Sequence, residues 1–380
     1  MSRTVSSPRI RILADDLTGA LDCAAAFGAG VPVHLAQPAA RDPEGIDIVA
    51  TATRDVPAQD LPGLLVPALP WLRGADIAFK KVDSLLRGNT FDEVDWLARQ
   101  CGLRGLAFVP AFLAQGRLTE DGQQWWVRAD GSRSAVNGSI REALQARGWR
   151  VVSGAGLPAL DDARTEATLA WVPDIVSDAV MDRAAAFTSQ AAGHWLWCGS
   201  AGLAHALARR LPAADPSARG ESAGTPHEDP GQVMLVSASH HPVSREQWQV
   251  LRASRWAPHC ESGEEPSALV RETGGEPRLV DLAASRPLAP AEASALLQTQ
   301  VQLLARHATR PRVLVVVGGD TLLSLCRALG ANGLRSATPL DRPGWGCARM
   351  VGGRWGGLVC HTRSGAFGGA QDLLDVVSSV

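Results

Sequence analysis

The sequence of 380 residues holds no uninterrupted apolar run of eighteen, so no segment reads as a membrane-spanning helix. Its opening stretch, MSRTVSSPRIRILADD, has no apolar core of signal-peptide length, and a soluble, cytoplasmic protein is expected. Seven cysteines (Cys23, Cys101, Cys198, Cys260, Cys326, Cys347, Cys360) are scattered without a CxxC pair, which argues against a disulfide framework and against a zinc site. A formal net charge of −2 supplies no field that would draw nucleic acid or anionic lipid, so neither is expected as a partner. Oligomeric state stays open, a homo-oligomer being compatible with all of this. Lysine is almost missing: of 37 basic residues only Lys80 and Lys81 are lysines. A lysine kept against such an arginine background points to a need for a compact ammonium rather than a planar fork. Two nucleotide signatures are also missing, since no GxxxxGK[ST] occurs anywhere and no GxGxxG follows the first apolar run.

What is present alternates. Apolar runs at 9–14, 31–35, 46–50, 77–81 and 106–110 read as strands, with helices expected near 20–28, 61–72 and 91–101 between them. Later runs at 170–175 and 194–198 precede helices near 179–191 and 201–211. Strands alternating with helices predict an α/β fold whose sheet is mainly parallel and covered on both faces. Residues 211–232, LPAADPSARGESAGTPHEDPGQ, are rich in Pro, Gly, Ser and charge and read as a linker. The length independently suggests two domains, here an N-terminal domain over 1–210 and a C-terminal domain over 233–380, with an active site expected in the cleft between them. The second domain opens with the strand-like VMLVSASHHP and a helix near 243–253. It continues with a strand near 277–281, a long helix near 291–309, the apolar strand 313–317, and a closing strand at 358–360 before a short helix from 372.

Ligands of open parallel sheets bind where strands end and helices begin. Four segments fall there. The first is Asp15-Asp16-Leu17-Thr18-Gly19-Ala20, whose adjacent carboxylates either bind a ligand or, on a plainer reading, cap the next helix. The second, Lys80-Lys81-Val82-Asp83-Ser84-Leu85-Leu86-Arg87-Gly88-Asn89, packs a lysine ammonium, a carboxylate, a hydroxyl and a guanidinium into one strand-end loop. Arg87 suits bidentate capture of a carboxylate and Asp83 suits accepting a proton; the plainer alternative is a surface turn with a structural ion pair. The third is Ser237-Ala238-Ser239-His240-His241-Pro242, whose hydroxyls and backbone amides suit phosphate oxygens. Its adjacent histidines share no face and have no third ligand nearby, so no histidine metal site is expected. The fourth is the pair Gly318-Gly319-Asp320-Thr321 and Ser364-Gly365-Ala366-Phe367-Gly368-Gly369, glycine loops able to wrap a polyphosphate, with Asp320 able to hold Mg2+.

In this order the segments resemble the four-carbon acid sugar kinase family, long described only as a domain of unknown function. Its ADDLTGA loop is matched by 14–20, its KxDSTLRGN segment by 81–89, and its PAFPxxGRxT stretch by Pro110, Ala111, Phe112, Gly116, Arg117 and Thr119. Its SGSCSP, TGGDT and KSGGFG loops read here as SASHHP, VGGDT and RSGAFG. The resemblance implies ATP, with Mg2+, as phosphate donor and an acid such as threonate, erythronate or a 3-oxo-tetronate as acceptor. It implies acid binding by Asp15, Arg54, Ser84 and Arg87, and catalysis by Asp16, Lys81 and Asp83, with either aspartate able to be the base. It implies ATP contacts from Ser239, Gly318, Gly319, Asp320, Thr321 and Gly365. The sequence departs from the pattern at Leu85, Leu113, Ala238, His240, His241 and Arg363. The substituted C-terminal loops leave a non-catalytic sugar-acid sensor as an alternative, and the opening βαβ pattern leaves a NAD(P)-dependent oxidoreductase.

Overall fold

The computed structural model describes residues 8–38, 45–128, 130–154, 156, 168–188, 193–211, 233–270, 276–338 and 344–379. The expected linker lies outside the described residues from 212 onward. The chain divides into two compact units, one of residues 1–27 and 31–215, the other of 28–30 and 216–380.

In the first unit the strands are β1 (Ile10–Ala14), β2 (Pro32–Leu35), β3 (Ile46–Ala50), β4 (Ile77–Lys81), β5 (Gly105–Val109), β6 (Arg117–Glu120), β7 (Gln123–Val127), β8 (Arg133–Ser139), β9 (Arg150–Gly154), β10 (Leu169–Pro173) and β11 (Trp195–Gly199). Eight of them form one parallel sheet in the order β2-β3-β1-β4-β11-β5-β10-β9. Such strands bury both faces, which is why GLAFV, LAWVP and WLWCG are apolar throughout rather than alternating. On one face Leu13, Val49, Ala78, Leu106 and Phe108 pack under helices α2 (Leu61–Leu65), α3 (Leu69–Arg73), α4 (Thr90–Cys101) and α5 (Ile140–Gln145). Elsewhere α1 (Leu17–Ala26) packs against α7 (Ala201–Arg210), which packs in turn on α6 (Asp178–Phe187). Trp171, Phe187, Trp195 and Trp197 form a cluster of edge-on and stacked rings with centroids 5.3–6.3 Å apart.

The helix α5 and the strand β9 have no counterpart in the sequence expectation, and two further features of this unit differ from it. The helix expected over 61–72 is two short helices, because Pro67 lacks the N–H that a continuous α-helix would need and a 3-10 turn, Val66–Ala68, takes its place. The stretch 117–139, given no secondary structure from its sequence, is the antiparallel sheet β6-β7-β8.

The second unit contains β12 (Val233–Ser237), β13 (Cys260–Ser262), β14 (Arg278–Asp281), β15 (Val313–Val317), β16 (Gly333–Ser336), β17 (Gly346–Val351) and β18 (Val359–Arg363). Their order is β13-β14-β12-β15-β18-β17-β16, parallel from β13 to β18 and antiparallel beyond. The helices are α8 (Pro242–Arg252), α9 (Pro266–Val270), α10 (Pro290–His307), α11 (Gly319–Ala328) and α12 (Asp372–Ser379). Its core joins Val233, Leu235, Val315 and Val317 to Trp248, Leu251, Leu373 and Val376. No helix among the described residues is long and apolar enough to cross a membrane.

The two lysines are successive residues of β4, so their side chains leave opposite faces of the sheet. Lys80 enters the core and pairs with Glu93 of α4 at 2.6 Å, both fully buried. Breaking a buried pair strands one charge, whereas replacing both partners by apolar groups does not. Urea unfolding of Glu93→Ala is therefore expected to show a loss of about 3 kcal/mol or more, and Lys80→Met/Glu93→Leu together a much smaller one. A Glu93→Ala protein as stable as the parent would refute this account.

Candidate functional site

Both sheets change direction of growth part-way. In the first, β2 and β3 lie to one side of β1 and β4 to the other, so the β1/β4 junction is a switch point where loops diverge and leave a crevice. The register Ala14↔Ala50 and Ala14↔Lys81 brings the carboxyl ends of β3, β1 and β4 level. The charged segments singled out in the sequence leave from there.

Asp15 is buried, and Arg54 donates to it twice, Nε to Oδ2 at 2.7 Å and Nη2 to Oδ1 at 3.1 Å. The same Nη2 donates to Oδ1 of Asp16 at 2.7 Å. Asp16 also caps α1, its Oδ1 accepting from Gly19 N at 3.1 Å, and Lys81 Nζ stands 3.9 Å from that oxygen. The capping and ligand-site readings of Asp16 are thus compatible. Oδ2 of Asp16 makes no hydrogen bond among the described residues. Gly19 is required by this packing: a Cβ there would lie 2.2 Å from Lys81 Nζ, so any side chain would displace the ammonium.

Burial works against the Asp15 carboxylate, yet the charges of Lys81, Arg54 and Lys80 hold its carboxyl at about 2. Burial likewise opposes the Lys81 ammonium, and Asp16 and Asp15 outweigh it, raising its pKa. Asp83, buried too, is held below the usual carboxylate range by its hydrogen bonds from Arg87, with Arg54 and Lys81 assisting. Those bonds are Nε to Oδ2 at 2.5 Å and Nη2 to Oδ1 at 3.0 Å. The structural ion pair in this loop is therefore real, and it gathers Asp83 and Arg87 beside the Arg54 cluster.

The loop bearing Arg54 is held by neighbours. Thr51 Oγ1 donates to Ala14 O at 2.9 Å and lies 2.7 Å from Thr53 Oγ1, while Asn89 Nδ2 donates to Thr53 O and Val56 O at 3.1 and 2.7 Å. Ala52 and Leu86 both adopt left-handed backbone (φ 58° and 54°), strain of a kind that concentrates at functional loops. Leu85, a departure from the family pattern, packs partly against the core of this unit.

In the second sheet β12 has β14 on one side and β15 on the other, a second switch point. Ser237↔Val317 and Val317↔Arg363 bring the ends of β12, β15 and β18 level. Ser239, Gly318 and Gly365 therefore emerge side by side. Gly365 lies against the β12 loop so closely that a Cβ would be 2.2 Å from Ser239 Oγ, and its carbonyl accepts from Ser244 Oγ at 2.6 Å. Gly318, Gly319, Asp320 and Thr321 open α11, whose N-terminal amides favour an anion. His241 caps α8, Nδ1 accepting from Val243 N at 3.3 Å. Arg363 is fully buried; it donates to Phe367 O at 2.6 Å, to Gln247 Oε1 and to Asp372, and lies 4.7 Å over the Trp345 ring. Among the described residues no three metal-ligating side chains cluster. Asp320 is the carboxylate of these loops, and a single protein carboxylate is a usual complement for a Mg2+ already carried by substrate phosphates.

Two groups near the first cluster went unread in the sequence. Gln124 of β7 bonds the Ser84 carbonyl at 3.0 Å. Asp22 sits on α1 one turn beyond Gly19, with burial pushing its carboxyl up to about 6 while Lys81 opposes the rise and Asp16 adds to it. Nothing in the α1 sequence distinguishes Asp22 from an exposed helical aspartate.

Each unit thus carries a ligand-type loop cluster at a switch point, charged in the first and rich in glycine and hydroxyls in the second. A family model described as the sugar-binding N-terminal domain matches residues 10–207. A D-threonate kinase of Bordetella bronchiseptica is 29% identical over 408 residues, covering 97% of this chain and 96% of that one. A D-threonate kinase of Cupriavidus necator is 30% identical over 376 residues, covering 85% and 86%. The fold is shared with a Salmonella typhimurium protein described as a putative tRNA synthase (TM-score 0.70, 21% identity, 97% and 98% covered). It is shared also with a Haemophilus influenzae protein from a family of unknown function (TM-score 0.65, 17% identity, 97% and 99% covered). The class is that of phosphotransferases acting on a sugar acid. The chain belongs to the four-carbon acid sugar kinase family.

Asp22 provides a pH test of the cluster. Its folded pKa of about 6 exceeds the ordinary 3.8, so ionisation in the folded state is disfavoured. The resulting cost is absent below the unfolded value, grows as pH rises through the folded one, and then levels off. Asp22→Asn removes that cost. Its stability advantage in thermal unfolding is expected to be small near about pH 4, to grow through about pH 6, and to plateau at no more than about 3 kcal/mol. An advantage independent of pH would contradict the environment described for Asp22.

Proposed function

We propose that the protein transfers the γ-phosphoryl group of ATP to a hydroxyl of a four-carbon sugar acid, D-threonate or a close relative. In this reading residues 1–210 take the acid, 233–380 take the nucleotide, and 211–232 connect them. The observation that carries it is the partly buried Asp15–Arg54–Asp16–Lys81 cluster at the carboxyl ends of β1, β3 and β4. A cluster of fixed, opposed charges is the kind of environment in which an anionic substrate is oriented and a hydroxyl proton removed.

Arg54 and Arg87 each keep Nη1 out of their carboxylate pairs and hold the acid's carboxylate through it, with Ser84 adding a hydroxyl. Asp16 takes the hydroxyl proton on Oδ2, the carboxylate oxygen without a hydrogen bond. Asp83 and Asp15 are weaker candidates, since bidentate guanidinium pairs stabilise both as anions. The substrate oxygen then bonds to the γ-phosphorus as the bond to the bridging oxygen breaks and ADP leaves. Lys81, held charged by its neighbours, balances negative charge on the transferring oxygens. Ser239, Gly365 and the amides of Gly318, Gly319 and Thr321 hold the triphosphate. Mg2+, when bound with the nucleotide, neutralises phosphate charge, and Asp320 is the carboxylate that would hold it.

Release of ADP across four- and five-carbon acids tests the reaction, and D-threonate is expected to be among the substrates. Asp16→Asn is expected to lower kcat by about 10²-fold or more, and Asp83→Asn by less. Near-normal turnover in Asp16→Asn removes it as the base, and acid binding without ADP release by the parent protein returns the sensor reading.

A further inference from the structure

We propose that Gln124 is a positioning residue that fixes the acid-binding loop, and that the β6-β7-β8 sheet exists in part to present it. The proposal rests on the function argued above, because it concerns the loop assigned there to the acid.

Gln124 lies on β7 opposite Thr119 of β6 and is fully buried. Every polar atom of its amide is used. Oε1 accepts from Thr119 Oγ1 at 2.7 Å, and Nε2 donates to Ser84 O at 3.0 Å and to Pro110 O at 3.3 Å. A rotated amide would set its oxygen against two carbonyl oxygens and its nitrogen against the hydroxyl, so the bonds select one orientation. Thr119 is itself fixed, exchanging backbone hydrogen bonds with Ile175 just past β10. One side chain thus ties the segments that follow β4 and β5 to β6, and the Thr119 backbone extends the tie to the segment after β10.

The Ser84 carbonyl belongs to the turn Asp83-Ser84-Leu85-Leu86, closed by Leu86 N donating to Asp83 O at 2.9 Å, with Leu86 in left-handed backbone. A leucine holds that conformation only where its surroundings impose it. Asp83 begins this turn and Arg87 follows it, so the plane of the Ser84 peptide sets where the Asp83–Arg87 pair stands relative to Arg54. Gln124 grips that peptide from within the core. It touches no reacting group, and its effect on the acid is transmitted through the turn.

Gln124→Leu keeps most of the volume and removes all three bonds; Thr119→Val is milder, removing only the hydroxyl that orients the amide. Both are expected to raise KM for the acid, by about tenfold in Gln124→Leu and less in Thr119→Val, with KM for ATP unchanged within about twofold. Backbone amides of 84–88 are expected to exchange hydrogen faster in both variants, with exchange at 313–323 unaltered. Parent-like acid KM and parent-like exchange at 84–88 in either folded variant overturn the proposal, as do equal rises in both KM values. If Gln124→Leu does not fold, Thr119→Val carries the test alone. If the parent releases no ADP with any acid, the kinase reading has failed, while exchange at 84–88 still decides the role of Gln124.

Discussion

Arg54 is the group on which the first unit's site depends. Two adjacent carboxylates at a strand end, one of them buried, would repel each other and lose their hydration, a cost that a nearby positive charge can offset. Arg54 meets both, pairing bidentately with Asp15 and reaching Asp16 with the same Nη2. Only a planar fork can do this from a single side chain, since an ammonium has no fixed pair of parallel donors. The neighbouring parts serve its placement. The Thr51–Thr53 hydroxyl pair fixes the start of its loop and the Asn89 amide fixes the following carbonyls.

Lys81 does what a guanidinium cannot. Its ammonium fits against the backbone at Gly19, in a space that a single added carbon would already violate. The adjacent Lys80 shows why the pair survives in an arginine-rich sequence: the two-residue period of β4 sends one ammonium to Glu93 in the core and the other to the aspartates. Both sites are tight, and both use a compact charge. The compact ammonium that the scarcity of lysine pointed to meets a tight space beside Gly19 at Lys81 and a buried carboxylate, Glu93, at Lys80.

Much of this was legible in the sequence because it follows from local rules. Buried parallel strands announce themselves as mainly apolar runs, even where Asp47 or the two lysines interrupt them, and 46–50, 77–81 and 313–317 have the bounds the sequence suggested. Strand-end loops then follow automatically, which is why Asp15, Asp16, Arg54, Lys81, Asp83 and Arg87 come together as a group. The sheet β6-β7-β8 was not read, although Asp121-Gly122 at its first turn, with φ 53° and 73°, is the dipeptide that two-residue hairpins favour. Amphipathic alternation is poor in QQWWV, so the turn signal stood alone. Asp22 and Gln124 were hidden for a different reason. Their significance lies in burial and in groups far along the chain, Lys81 beside Asp22 and the Ser84 carbonyl on Gln124, which no local pattern encodes.

Two departures from the family pattern in the second unit, His241 and Arg363, are absorbed by structure. His241 offers Nδ1 to the first turn of α8, the task a serine at that position would perform as a cap. Arg363 turns inward, where its hydrogen bonds to Phe367 and Asp372 and its stacking on Trp345 brace the glycine loop that follows β18. In the proposed reading, what would meet a phosphate at the ends of β12, β15 and β18 is mostly backbone amide and hydroxyl. Such a site is specified by chain path more than by side-chain identity, because an amide in position binds an oxygen whatever residue bears it. The residues that cannot vary are those that set the path. Gly365, pressed against Ser239, is one of them, and a side chain there is expected to harm nucleotide binding more than exchange at His240 would.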